Sequence, residues 1–175
     1  MHLRPTPLRR TLALSTTALV LSTLGACGFD EATNRVYTPG AGVNNRDASV
    51  DVLSAVIVSA EDGSGTFIAT FVNNEELEAA TVEEMAGAGE TTLDFTGFSP
   101  FEVPAAGAVN LNDEGGVEVE GDFDKGDFIP VSIRFGDGEQ IEMDVVVVDN
   151  CGDYEGIDGE SECIDPDEVH GEGDH

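Results

Sequence analysis

The side chains able to do chemistry are unevenly distributed along this chain. Of its 175 residues, 36 are aspartate or glutamate and only seven are lysine or arginine, while cysteine, histidine and methionine occur three times each. The histidines are His2, His170 and His175, so none stands between residues 2 and 170 to serve as a general base. No serine sits in a nucleophile-elbow motif, and no thiol stays free once the cysteines are assigned below. Nothing marks one carboxylate pair among so many, and the expectation is a protein that is not an enzyme. Asp122, Asp124 and Asp127 cluster around Gly126 as in a calcium loop. Counting from Asp122, however, position 12 is Ile133 where an EF-hand needs a bidentate Glu, so solvated turn carboxylates are the better reading. Met143 alternates with inward apolar residues and belongs to a core. Met85 is a single thioether, more often packing than ligand.

The three cysteines divide by context. Residues 1–10 carry Arg4, Arg9 and Arg10 and no acid, and residues 11–23 form an uncharged run rich in Leu, Ala and Val. This is the positive n-region and apolar h-region of an export signal, too short for the roughly 20 residues a membrane-spanning helix needs. Leu24, Gly25 and Ala26 immediately before Cys27 read as a lipobox. Cleavage would leave Cys27 first, its thiol carrying a diacylglycerol and its amine a further acyl chain such as palmitate. Arg9 and Arg10 match a twin-arginine signal poorly, which leaves the export route open. With Cys27 lipidated, Cys151 and Cys163 remain as a pair in an oxidising compartment, where a disulfide is expected. The expected location is the cell membrane, lipid-anchored on the extracytoplasmic face.

All the acids follow Cys27, and the portion beyond the signal has four basic residues against 36 acidic ones, a net charge of −32. Such a surface repels nucleic acid and anionic head groups, so nucleic-acid binding is excluded and membrane affinity must come from the lipid. Forty per cent hydrophobic residues and nine Phe are too many for a disordered chain.

These residues are expected to be positioned by four segments: a signal peptide over 1–26, the lipidated Cys27 with a flexible tether over 27–46, a folded domain over 47–149, and an acidic tail over 150–175 containing the disulfide. The tether is polar and rich in Gly and Asn. In the domain, short apolar runs alternate with turn residues. Residues 50–59 and 66–72 read as strands joined by a turn at 61–65, the second apolar on both faces and hence central and covered. Residues 77–85 fit either a short helix or a strand. Brief extended pieces follow at 93–95, 98–103, 109–111 and 116–120. The clearest hairpin joins 128–135 to 141–147 through Gly136, Asp137 and Gly138. Seven or more short strands without a long amphipathic helix define an all-β chain, an antiparallel immunoglobulin-like β-sandwich. The tail has no Lys or Arg after residue 149, and like charges are expected to keep most of it extended.

Across 47–148, the runs Val103, Pro104, Ala105, Ala106, Gly107, then Gly115 and Gly116, then Lys125 through Arg134 and Phe135 resemble the PCuAC-type periplasmic copper chaperones. In overall form the chain is similar to the LpqE-like actinobacterial lipoproteins. The resemblance implies a cupredoxin-like sandwich, exported and handling Cu(I) through His and Met. The segment after the paired glycines, where that family places one His and one Met, here reads Val117, Glu118, Val119, Glu120. Upstream, Met85 is retained without a histidine. Carboxylates are hard donors suited to Ca²⁺, Mg²⁺ or Mn²⁺, whereas Cu(I) prefers soft ones. The expected function is therefore an envelope binding module that has lost the copper site and has no assured cofactor. The alternative is copper or divalent-cation handling through altered ligands, with Met85, Glu118 and Glu120 as candidates. A glycan-binding role has little support, because six per cent aromatic residues and no Trp leave few stacking platforms.

Overall fold

The computed structural model of the chain describes residues 40–160 and Cys163. The described part is almost entirely β. Its strands are β1 (Val43–Asn45), β2 (Val50–Ser59), β3 (Ser64–Asn73), β4 (Ala80–Gly87), β5 (Leu93–Thr96), β6 (Phe101–Val103), β7 (Ala108–Asn110), β8 (Val117–Gly121), β9 (Phe128–Phe135) and β10 (Gln140–Asp149). They form one curled sheet in the order β5-β8-β3-β2-β10-β9-β4-β6, with β1 on β2 and β7 on β3. Curling brings the two ends of this order onto a common core, in which Phe95 of β5 and Val103 of β6 are both buried. The result is a cupredoxin-like β-sandwich.

Alternation builds the core. In β9, Ile129, Val131, Ile133 and Phe135 are buried, and in β10 Ile141, Met143, Val145 and Val147 face the same interior. The two strands pair antiparallel from Gln140 opposite Arg134 to Val146 opposite Phe128, as expected for the Gly136-Asp137-Gly138 hairpin. Three edge-to-face aromatic contacts cross-link the layers: Phe67–Phe95 with ring centroids 5.9 Å apart, Phe71–Phe101 at 5.2 Å and Phe98–Phe101 at 6.3 Å. Strand β3 is covered on both faces, with Phe67 and Phe71 in the main core and Ile68 in a second cluster beneath Tyr154 and Ile157.

Three features depart from the pattern read in the sequence, and one ambiguity in it is resolved. The sheet is mixed, because β10 lies parallel to β2, with Val146 opposite Val56 and Val148 opposite Val58. Residues 43–45, expected to belong to the tether, instead form β1, and the Asn44 side-chain oxygen accepts from the Ser54 amide at 2.7 Å. That bond supports a bulge in β2, where Ser54 adopts φ 53° and the register with β3 shifts. The 77–85 ambiguity resolves to a strand that starts at Ala80, leaving Leu77 in the preceding loop, 92% exposed.

The third departure is the beginning of the acidic tail, which is packed rather than extended. Asn150 is fully buried. Its amide nitrogen donates to the carbonyls of Asp158 and Gly159, and its oxygen accepts from the amides of Ile157 and Asp158. Cys151 is bonded to Cys163. The tail from residue 164 onward lies outside the described residues, as do the signal, Cys27 and the tether up to residue 39.

Candidate functional site

Strand β8 positions the face where the resemblance aligns copper ligands. Gly116 precedes the strand at φ 74°, and a Cβ there would collide with the Thr66 side chain, so glycine is required for the chain to enter the sheet this close to β3. Upstream, the Asn110 side chain caps a 3₁₀ turn by accepting from the Asn112 amide at 3.2 Å, and Gly115 ends that turn in the left-handed region. From Val117 the strand alternates strictly: Val117 and Val119 enter the core, while Glu118 and Glu120 are exposed on the opposite face.

Residues directly opposite across neighbouring strands share a face. Glu118 lies between Thr66 of β3 and Thr96 of β5, and Glu120 between Ser64 of β3 and Asp94 of β5. The tail adds Asp158, whose Oδ1 accepts from the Thr66 hydroxyl at 2.8 Å while Oδ2 accepts from the Ala60 amide at 2.8 Å. This outer face therefore combines four carboxylates with three hydroxyls. The ion pairs among the described residues, Arg46–Asp51, Lys125–Asp149 and Arg134 with Glu83 and Glu84, engage none of those four carboxylates.

The sequence candidates do not converge. Met85 on β4 is 6% exposed and packs in the main core with Val117 and Val119, on the side of the sheet away from Glu118 and Glu120. Among the described residues, no three His, Cys, Asp or Glu side chains form a group that could hold a metal ion. The donors on this face are hydroxyl and carboxylate oxygens, which do not fit Cu(I), a cation that favours thioether and imidazole. The Asp122-Asp124-Asp127 turn is occupied with its own backbone: Asp127 Oδ2 accepts from the Asp124 amide at 2.9 Å, and the Asp127 amide donates to the Asp124 carbonyl at 3.1 Å. Asp158 was not among the expected site residues. Its signal was faint: two apolar side chains, Tyr154 and Ile157, interrupt an otherwise acidic stretch just before it.

A second acidic region surrounds an open groove of about 650 Å³ between the loop before β4 and the β9–β10 turn, lined by Glu75, Glu78, Glu83 and Asp137. Nearby, Glu139 Oε2 accepts from the Ser49 amide at 2.9 Å. That backbone bond, helped by the Ser49 hydroxyl, holds the Glu139 carboxyl below its ordinary range against the opposing effect of desolvation. A carboxylate whose folded pKa is depressed stabilises above its unfolded value near 4.3 and loses that contribution as pH falls through the folded value. Ser49→Ala, which keeps the amide but removes the hydroxyl, is expected to move the Glu139 titration part of the way back up, as read by carboxyl-carbon NMR.

The fold has counterparts among solved structures. Its described domain has the PCuAC-like β-sandwich: the apo PCuAC domain from PmoF1 superposes with a TM-score of 0.50 at 14% identity, covering 60% of this chain and 98% of that one. The copper-bound PCuAC domain from PmoF2 matches at a TM-score of 0.49 and 12% identity, over 61% of this chain and 98% of that one. No family model matches the chain, and no curated protein matches it.

Proposed function

We propose that the chain is a lipid-anchored lipoprotein of the extracytoplasmic cell envelope, similar in form to the LpqE-like lipoproteins. In this reading its PCuAC-like sandwich acts as a binding module for an envelope protein, not as a copper carrier or an enzyme. One observation carries the departure from copper handling. Where the resemblance aligns His and Met, β8 presents Glu118 and Glu120 beside Asp94, while Met85 is packed in the core. Hard oxygen donors on an open face give Cu(I) no soft ligand pair. The lipobox at Cys27 supports the anchored location, and a net charge of −32 beyond the signal supports the exclusion of nucleic acid.

The test is a Cu(I) titration of the purified protein against a competing chelator, repeated with Ca²⁺ and Mn²⁺. The unaltered chain is expected to leave Cu(I) with the chelator. Glu118→His combined with Glu120→Met, which places two soft donors on one face of β8, is expected to raise Cu(I) affinity by at least about tenfold, a change of about 1.4 kcal/mol. A tight one-to-one complex of the unaltered chain with Cu(I) overturns the proposal. One-to-one binding of Ca²⁺ or Mn²⁺, abolished by Glu118→Gln, moves the assignment to divalent-cation handling.

A further inference from the structure

We propose that the Cys151–Cys163 disulfide is a thiol–disulfide exchange site and acts as a latch: its reduction by a dithiol releases residues 151–160 and uncovers an apolar strip on the outer face of the sheet.

The strip is continuous in the strand register. Phe128 of β9 lies opposite Val146 of β10, Val146 beside Val56 of β2, and Val56 opposite Ile68 of β3. The next row contributes Val148 and Val58. Such a run on the outer face of an otherwise acidic domain needs a cover, and the segment after β10 supplies it. Tyr154 and Ile157 pack on Val56, Val58 and Ile68. The cover stops short of Phe128, which is 64% exposed at the end of the same row.

What holds the cover is sparse. Among the described residues, its own grip consists of two partly exposed apolar side chains, the two hydrogen bonds of Asp158 to Ala60 and Thr66, and the four hydrogen bonds by which the Asn150 side chain folds the segment back on itself. Against this, residues 151–160 carry Asp153, Glu155, Asp158 and Glu160 and no Lys or Arg, on a domain that is itself strongly acidic. Like charges resist that closure. The disulfide, with a sequence separation of 12, ties the far end of the segment to its root at the end of β10. Closing a loop of that size restricts the open ensemble by a factor on the order of 100.

The bond is placed for exchange. Cys163 is exposed and Cys151 partly so. A thiolate of the dithiol attacks the Cys163 sulfur, forming a mixed disulfide and releasing the Cys151 thiolate, which takes up a proton. The second thiol of the reagent then attacks the mixed disulfide, frees the Cys163 thiol and leaves the reagent as its own disulfide. Two electrons and two protons pass to the protein.

Hydrogen exchange on the full chain, oxidised and then reduced with dithiothreitol, tests the latch. The informative amides are Ala60, which donates to Asp158, and Ile157 and Asp158, which donate to Asn150. On reduction their protection is expected to fall by up to about 100-fold, set by the loop-closure factor, while the β9–β10 ladder keeps its protection. Fluorescence of a dye that binds apolar surface is expected to rise together with this loss. Ile157→Asp in the oxidised chain is expected to raise the dye signal without reduction, and Cys163→Ser to reproduce the reduced state. Unchanged exchange at these three amides in the reduced chain overturns the latch. Loss of protection throughout the sheet also overturns it, because the disulfide would then be a staple of the whole fold.

Discussion

Phe71→Ala is expected to destabilise the domain by about 3–5 kcal/mol, the range for removing a fully buried aromatic ring. Phe71 has no exposed surface and sits on β3 opposite Val52 of β2 and Val109 of β7. Its ring meets Phe101 edge to face, and Phe101 in turn meets Phe98, so the truncation unseats a row of three rings that ties the β5–β6 connection to the central strands. Strands paired on both sides cannot collapse readily into the space left, which puts the cost toward the upper end. A domain of this size is stable by only about 5–15 kcal/mol, so the variant should be visibly marginal. Thermal unfolding followed by circular dichroism should show a drop in Tm on the order of 10–20 °C. Phe128→Ala is the matched control: the same side chain is lost, but from a largely exposed position, where such changes usually stay within about 0.5 kcal/mol. A loss under 1 kcal/mol for Phe71→Ala would mean that the row of rings is not part of the stabilising core.

The contrast between those two phenylalanines also shows what periodicity in the sequence can and cannot reveal. The β9–β10 hairpin was legible because one face is buried and one wet, and because Gly-Asp-Gly sits between the two alternating runs. Strand β4 was ambiguous for a physical reason. Its inward residues, Val82 and Met85, are three apart, a helical spacing, yet the segment is a strand with a bulge between Val82 and Glu84 that carries one residue extra. Both displaced glutamates reach Arg134 of β9, Glu84 at 2.6 Å and Glu83 at 4.0 Å. The parallel pairing of β2 with β10 was not legible, since it joins strands about ninety residues apart and leaves the alternation of each unchanged. At the candidate site, the outward direction of Glu118 and Glu120 followed from alternation with Val117 and Val119. The arrival of Asp158 on the same face did not, because it depends on Asn150 folding the tail back through four hydrogen bonds, a tertiary feature inside a stretch whose composition reads as solvated.

Cys27→Ser is expected to shift the protein from the membrane fraction to the soluble fraction almost completely. Each buried CH₂ contributes about 0.8 kcal/mol, so the two or three acyl chains of a lipidated amino-terminal cysteine supply far more membrane affinity than any single chain. The net charge of −32 sets the domain against anionic head groups, and among the described residues no helix is long and apolar enough to cross a bilayer. The serine variant should nevertheless remain folded, because the described domain carries its own core and the Cys151–Cys163 bond. Fractionation with mass analysis under non-reducing conditions reads both properties at once. A soluble, disulfide-bonded product supports the anchor. Retention in the membrane would show that another part of the chain binds the bilayer. An unaltered protein lacking an acyl mass at its amino end would show that Leu24, Gly25, Ala26 and Cys27 are an ordinary stretch of an export signal.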